Sequence, residues 1–202
     1  MDQSRITALI DSANAVVQAN REHWTSLDQA IGDGDHGINM ARGFAAIGED
    51  KDAIAAKPLG DALQTAGMAL VMKVGGASGP LYGSFLMALG KTAPDGLVDR
   101  ATLSAMLDAG IEAVKKRGKS DRGAKTMLDV LIPVRDAVAS GADAAGVRAA
   151  ADAALEATRD MQATKGRASF LGERSIGHLD PGAASTCQLV HVVCDLVAET
   201  VA

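Results

Sequence analysis

The sequence predicts an all-α fold: a single domain over residues 1–202, built as an up-and-down barrel or bundle of about eight antiparallel helices. Three observations predict it. Apolar residues recur at helical spacing almost throughout, with no convincing run of period-two alternation. The chain is 48% hydrophobic but only 2% aromatic, so its core must come from Ala, Leu, Val, Ile and Met, side chains that favour helices and let them approach closely. The links between periodic segments are mostly short, which favours antiparallel neighbours. A chain of 202 residues can bury one sizeable core without needing a second domain.

Residues 4–20 open the order of elements, with Ser4 as a candidate N-cap and Ile6, Leu9, Ile10, Ala13, Val16 and Val17 on one face. A short segment at 22–28 leads into an acidic loop, and a helix restarts after Gly37 and runs to about Gly48. Pro58 sits where a first-turn proline is tolerated and opens a helix at 58–74. The small-residue run Gly75–Pro80 divides it from a helix at about 80–92, and Pro94-Asp95-Gly96 is a turn signal. Helices follow at about 100–117, 124–140, 143–165 and 182–201, separated by 118–123, Gly141 and the loop 166–181. Pro133 is expected to kink the helix that contains it. In an up-and-down bundle alternate loops share an end. The acidic loop and the loops at 75–80, 118–123 and 166–181 are therefore expected at one rim.

Composition excludes several function classes. A net charge of −5 argues against binding a nucleic-acid backbone. No run of 18 apolar residues exists, and the polar start Met-Asp-Gln-Ser-Arg is no signal peptide. Cys187 and Cys194 lie seven apart on a predicted helix, a rise of roughly 10.5 Å, too far for a mutual disulfide. They read as core residues in a reducing, cytoplasmic setting.

The chemistry concentrates in residues 28–39, Asp-Gln-Ala-Ile-Gly-Asp-Gly-Asp-His-Gly-Ile-Asn. Asp28, Asp33 and Asp35 are expected to crowd one short loop, with His36 beside them and glycines at 32, 34 and 37. Like charges so close repel unless a cation sits between them. An all-oxygen donor set suits Mg2+ before Zn2+, and Mg2+ is commonly shared with substrate phosphates. The pattern G-x-G-x-x-G at 32–37 is not a dinucleotide fingerprint, because no strand precedes it and two aspartates would face the pyrophosphate. An EF-hand fails because Phe44 stands where a bidentate Glu is needed. A solvated, helix-capping turn would leave three acids and three glycines unexplained.

The other breaks are less decisive. Gly75-Gly-Ala-Ser-Gly-Pro ahead of a helix either offers backbone N–H groups and the Ser78 hydroxyl to a phosphate or is a small-residue turn. Gly118-Lys-Ser is no P-loop, since Ala113 stands where its first glycine belongs. Lys165, Arg167 and Arg174 are natural partners for phosphate oxygens, or Lys165 and Arg167 merely complement the end of the helix at 143–165. Asp180-Pro-Gly alone reads as an ordinary turn. His178 reads as a structural loop histidine, and Met127 as a packing residue that can touch a base.

Four segments together carry a resemblance: Gly32-Asp-Gly-Asp-His-Gly-Ile-Asn-Met40, Val74-Gly-Gly-Ala-Ser-Gly-Pro-Leu81, Gly123-Ala-Lys-Thr-Met-Leu-Asp129, and Lys165–His178 with Asp180-Pro-Gly182. In this order, and across nearly the whole chain, they resemble the L subunits of dihydroxyacetone kinases (DhaL). The resemblance implies an eight-helix barrel with a nucleotide and two Mg2+ ions at one rim. It implies Asp28, Asp33 and Asp35 as metal ligands, and His36, Gly37, Ile38 and Asn39 along the phosphates. Ala77 and Ser78 would lie in the glycine-rich turn, Gly118 and Met127 beside the nucleoside, and Arg167 with Asp180, Pro181 and Gly182 closing the pocket. Arg167 is the one residue expected to help the transferring phosphoryl group. The implied reaction is phosphoryl transfer to dihydroxyacetone held on a separate K subunit. In one branch exchangeable ATP is the donor; in the other a bound ADP is rephosphorylated by the phosphohistidine subunit DhaM. A chain of this length leans toward the second. A non-catalytic nucleotide-sensing module is the different-class alternative.

Overall fold

A computed structural model describes residues 2–201, and among them there is no β-strand. Nine α-helices occur among the described residues: α1 (Gln3–Ile31), α2 (His36–Glu49), α3 (Lys51–Ala55), α4 (Leu59–Lys73), α5 (Ser78–Thr92), α6 (Arg100–Gly118), α7 (Leu128–Ala139), α8 (Ala144–Ala157) and α9 (Pro181–Val201). Each long helix packs on the next, and α9 packs back on α1. Eight helices thus close a ring, as the sequence led us to expect, while the short α3 bridges α2 and α4 as an addition to it. No helix of the described residues is long and apolar enough to cross a membrane.

Several boundaries differ from the sequence expectation. The first helix does not stop at residue 20 but continues to Ile31, since no Gly or Pro interrupts it and Trp24, Asp28 and Ile31 extend the buried face of Ile10, Ala13 and Val17. Its N-cap is Asp2, whose carboxylate accepts from the Arg5 amide at 2.9 Å; Ser4 instead donates its hydroxyl to Asp2. Helix α7 starts at Leu128 rather than 124, because Lys125 takes a left-handed conformation with φ of 61°. It passes through Pro133 and ends at Ala139. Helix α8 stops at Ala157, and the expected loop at 166–181 contains short 3₁₀ turns within Arg167–Ser175, broken by a kink at Gly172.

Mostly aliphatic side chains and one tryptophan fill the ring interior, with Val17, Trp24, Met40, Leu70, Val114 and Leu128 almost fully buried. Burying each larger one contributes roughly 1.5–3 kcal/mol.

The tightest seam joins α4 and α5. A Cβ at Gly67 would lie 2.7 Å from the Gly83 carbonyl oxygen, and one at Gly83 would lie 2.6 Å from that of Gly67. Gly60 and Gly90 repeat the arrangement at 2.7 and 2.4 Å. The two helices therefore touch backbone to backbone, and they deliver the turn between them to the rim.

Candidate functional site at one rim of the barrel

The ends of α1, α4, α6 and α8 and the starts of α2, α5, α7 and α9 meet at one rim. Asp28 lies in the last turn of α1, not in a loop, and is 7% exposed. Its Oδ2 accepts from the amides of Asp35 (2.8 Å) and His36 (3.1 Å), which folds the intervening turn back onto the helix end. Gly34 makes that turn possible with φ of +73°. Each of Asp28, Asp33 and Asp35 contributes a carboxylate oxygen to a group in which all lie within 4.8 Å of one another. Two unit charges at that spacing repel by about 3 kcal/mol at an effective dielectric near 20. Arg167 offsets part of this, its Nε lying 3.0 Å from Asp33 Oδ2 with both side chains well exposed.

The glycine-rich turn abuts this cluster. A Cβ on Gly76 would lie 3.6 Å from Asp35 Oδ2 and 3.4 Å from the buried Asn39 amide nitrogen. Gly37 allows α2 to approach α1, since a Cβ there would meet the Arg21 carbonyl oxygen at 2.0 Å. Beyond the turn, Ala77, Pro80, Leu81, Gly118 and Met127 border a cavity of about 290 Å³. That is near the lower end of the roughly 300–1,000 Å³ of small-molecule pockets. A second, wider hollow alongside it, of about 440 Å³, carries Lys115, Lys119, Arg122 and Lys165.

His36 is not a surface cap but a buried relay. Its Nδ1 lies 2.9 Å from Ser78 Oγ, and its Nε2 lies 2.8 Å from Ser185 Oγ. Ser185 and Thr186 each lie 2.7 Å from the Tyr82 hydroxyl, and Thr186 donates to the Gly182 carbonyl. This run of hydroxyls ties Ser78 in α5 to α2 and α9. Burial pushes the His36 imidazole down to about 4, against a small upward pull from Asp35. An unfolded chain would take up a proton near pH 6.5 that the folded protein refuses until about pH 4. Stability from this residue is therefore complete above pH 6.5 and lost as pH falls, by about 3 kcal/mol. A cation at the carboxylates would act in the same direction. Asp180, whose carboxyl is raised on folding, pulls the other way over the same range, so the His36 contribution is read as a difference: between pH 7 and 4 the urea midpoint of the unaltered protein should fall relative to that of His36→Gln, and an unchanged difference would show that His36 is not held neutral.

Three residues behind the rim had no assigned role from sequence. Asp129, 3% exposed, accepts from the amides of Gly123 (2.5 Å) and Thr126 (2.7 Å) and so shapes the turn before α7. The buried Lys125 donates to the carbonyls of Ser175 (2.5 Å) and Met161 (3.1 Å), pinning the 158–180 segment over the rim. Tyr82 anchors the relay. Asp180 caps α9 by accepting from Ala183 N at 2.7 Å. Burial, with Asp129 and Asp28 adding, pushes its carboxyl up to about 7 against the Ala183 amide and Lys125. Gly182 lies against Met127, and Pro181 begins α9. Of the expected nucleotide contacts, Ala77, Gly118 and Met127 line the cavity, whereas His36, Gly37, Asn39, Ser78, Arg167, Asp180, Pro181, Gly182 and the 38% exposed Ile38 lie outside its lining.

Comparison with known proteins points the same way. A family model described as DAK2 domain matches residues 30–195. The chain is 49% identical over 177 residues, 88% of each chain, to the PEP-dependent dihydroxyacetone kinase 1, ADP-binding subunit DhaL, of Listeria innocua. It is 39% identical over 202 residues, 96% of each chain, to the PEP-dependent dihydroxyacetone kinase, ADP-binding subunit DhaL, of Escherichia coli. The fold matches the crystal structure of the dihydroxyacetone kinase from C. freundii in complex with AMP-PNP and Mg2+, with a TM-score of 0.75 at 23% identity. That match covers 94% of this chain and 33% of the other.

Proposed function

Because the chain belongs to the DAK2 domain family, we propose that it is the nucleotide-carrying subunit of a dihydroxyacetone kinase. In this reading it holds an adenine nucleotide with two Mg2+ ions at the rim and passes the terminal phosphate to dihydroxyacetone on a separate K subunit. The observation that carries the reading is the trio of carboxylates within 4.8 Å, placed beside a glycine-rich turn and a cavity.

The donor set fits Mg2+: three carboxylates, all oxygen, with no sulfur or imidazole nitrogen among them. Asp28, held by two backbone amides, together with Asp33 and Asp35 would hold the ions. Bound there, Mg2+ supplies charge neutralisation on the phosphates. The chain's own side chains then position and shield. Ser78, fixed by His36, and the backbone at the start of α5 face the phosphates, with Gly37, Ile38 and Asn39 on the α2 side. Ala77, Gly118 and Met127 flank the base, while Asp180, Pro181 and Gly182 close the pocket. Arg167 is free enough to pass from Asp33 to the transferring group, where a guanidinium offsets charge that grows in the transition state. Orientation and electrostatics supply most of the rate gain in such a site. Removal of the acceptor proton is assigned to the K subunit.

The PEP-dependent relatives favour ADP as a bound coenzyme reloaded by DhaM over ATP as an exchangeable substrate. The test mixes the purified protein, its K subunit and dihydroxyacetone with ATP. At most a single turnover is expected without DhaM, and sustained turnover with it and a phosphoryl donor. Rapid multiple turnover on ATP alone would overturn the coenzyme reading. No phosphoryl transfer under either condition would leave only a nucleotide-sensing module.

A further inference from the structure

Away from the rim, α8 and α9 bring together three donor atoms of different chemistry. Asp152 Oδ1 lies 2.8 Å from His191 Nε2 and 3.3 Å from Cys187 Sγ, and Sγ lies 3.6 Å from Nε2. All three thus face one point. Cys187 is buried, His191 partly buried and Asp152 exposed. Cys187 and His191 are four apart on α9, so both project from one helix face.

We infer that Asp152, Cys187 and His191 form a second metal site, one for a divalent transition ion and Zn2+ first. The donor spacings carry the inference. Four-coordinate zinc binds sulfur at about 2.3 Å and imidazole nitrogen or carboxylate oxygen at about 2.0–2.2 Å, so neighbouring ligands stand about 3.3–3.6 Å apart. Two of the three edges already have that length, and the third needs to open by about half an ångström. As a hydrogen-bonded triad, the thiol and the imidazole both aim at the same carboxylate oxygen. A cation at the centre would serve all three at once. One carboxylate and one thiolate would balance the charge of a divalent ion, leaving a fourth position open to water on the exposed Asp152 side.

The neighbouring Arg148 does not claim Asp152, because it is committed to Asp195 and to the His191 carbonyl. On binding, the Cys187 S–H bond breaks and its proton goes to solvent, the imidazole shifts to its Nδ1–H tautomer, and the metal–sulfur and metal–nitrogen bonds form. The sulfur donor separates this site from the all-oxygen rim, which prefers Mg2+. An ion here would clasp α8 to α9 a few turns from where α9 leaves the rim.

The experiment is a Co2+ titration of the full-length protein in saturating Mg2+, followed by displacement with Zn2+. One equivalent should develop a thiolate-to-cobalt charge-transfer band in the near ultraviolet, release about one proton, and be displaced by Zn2+. Zn2+ should also raise the melting temperature by several degrees. Cys187→Ser should abolish the band, and Asp152→Asn, an exposed substitution that spares the core, should weaken binding at least tenfold. Cys194→Ser should leave the band intact. Absence of the band in the unaltered protein, its survival in Cys187→Ser, or unweakened binding in Asp152→Asn would overturn the assignment.

Discussion

Asp33→Ala should leave the fold intact and reduce phosphoryl transfer by about three orders of magnitude, the effect of several kcal/mol of lost transition-state charge stabilisation. Asp33 is exposed, and its ion pair with Arg167 is of the kind worth little at a surface, so its loss is not expected to disturb the core. Stability should respond in an unusual direction. With no divalent cation present, removing one of three mutually repelling carboxylates should leave the melting temperature unchanged or slightly higher. With Mg2+ and nucleotide, the rise seen in the unaltered protein should vanish. Melting curves with and without Mg2+, read beside turnover with the K subunit, check both halves. Unchanged activity together with an intact Mg2+-dependent rise would remove the acidic cluster from the mechanism.

Gly67→Ala should lower stability markedly although it lies away from the rim. Alanine is the better helix former by about 1 kcal/mol, so an unpacked helix would gain. Here the new methyl would press on the Gly83 carbonyl oxygen at 2.7 Å and the Met87 backbone nitrogen at 3.0 Å, neither of which can turn aside. Overpacking typically costs about 1–3 kcal/mol, more where backbone must move. With roughly 2–4 °C per kcal/mol for a chain of this size, the melting temperature should fall by several degrees. Gly96→Ala is the matched control, since a Cβ there meets nothing within 4 Å. Equal melting of the two variants would mean that α4 and α5 can part without cost.

The rim was legible in the sequence because its parts are punctuation. Glycine runs and clustered acids break helical periodicity, and an up-and-down order then sends alternate breaks to the same end. Helix extent was harder to read. Asn20, Arg21, Glu22 and His23 interrupt the apolar pattern, so the first helix seemed to stop there, although Trp24, Asp28 and Ile31 resume its buried face a turn later. The second layer of the site was out of reach for another reason. Lys125 looks like a surface cation until the carbonyls of Met161 and Ser175, 36 and 50 residues away, are folded onto it. Tyr82 and Ser185 are 103 residues apart, and a histidine next to an aspartate gave no hint of being held neutral between two hydroxyls. Such partnerships are set by closure of the ring, not by local pattern.

The α4–α5 seam is partly repetitive in register. Its glycines recur every seven residues on both helices, so a slip of one heptad, about 10.5 Å, would again set glycine against glycine, Gly67 facing Gly90 or Gly60 facing Gly83. Each slipped alignment keeps one of the two glycine contacts, so packing prefers the native register by a single pair and does not hold it alone. The choice falls to the four residues Val74–Ala77, a tether that reaches about 14 Å at most when fully extended. The same short tether sets Ser78 opposite His36. Lengthening it would free the hairpin to idle in an alternative alignment with the seam half satisfied and the rim dismantled.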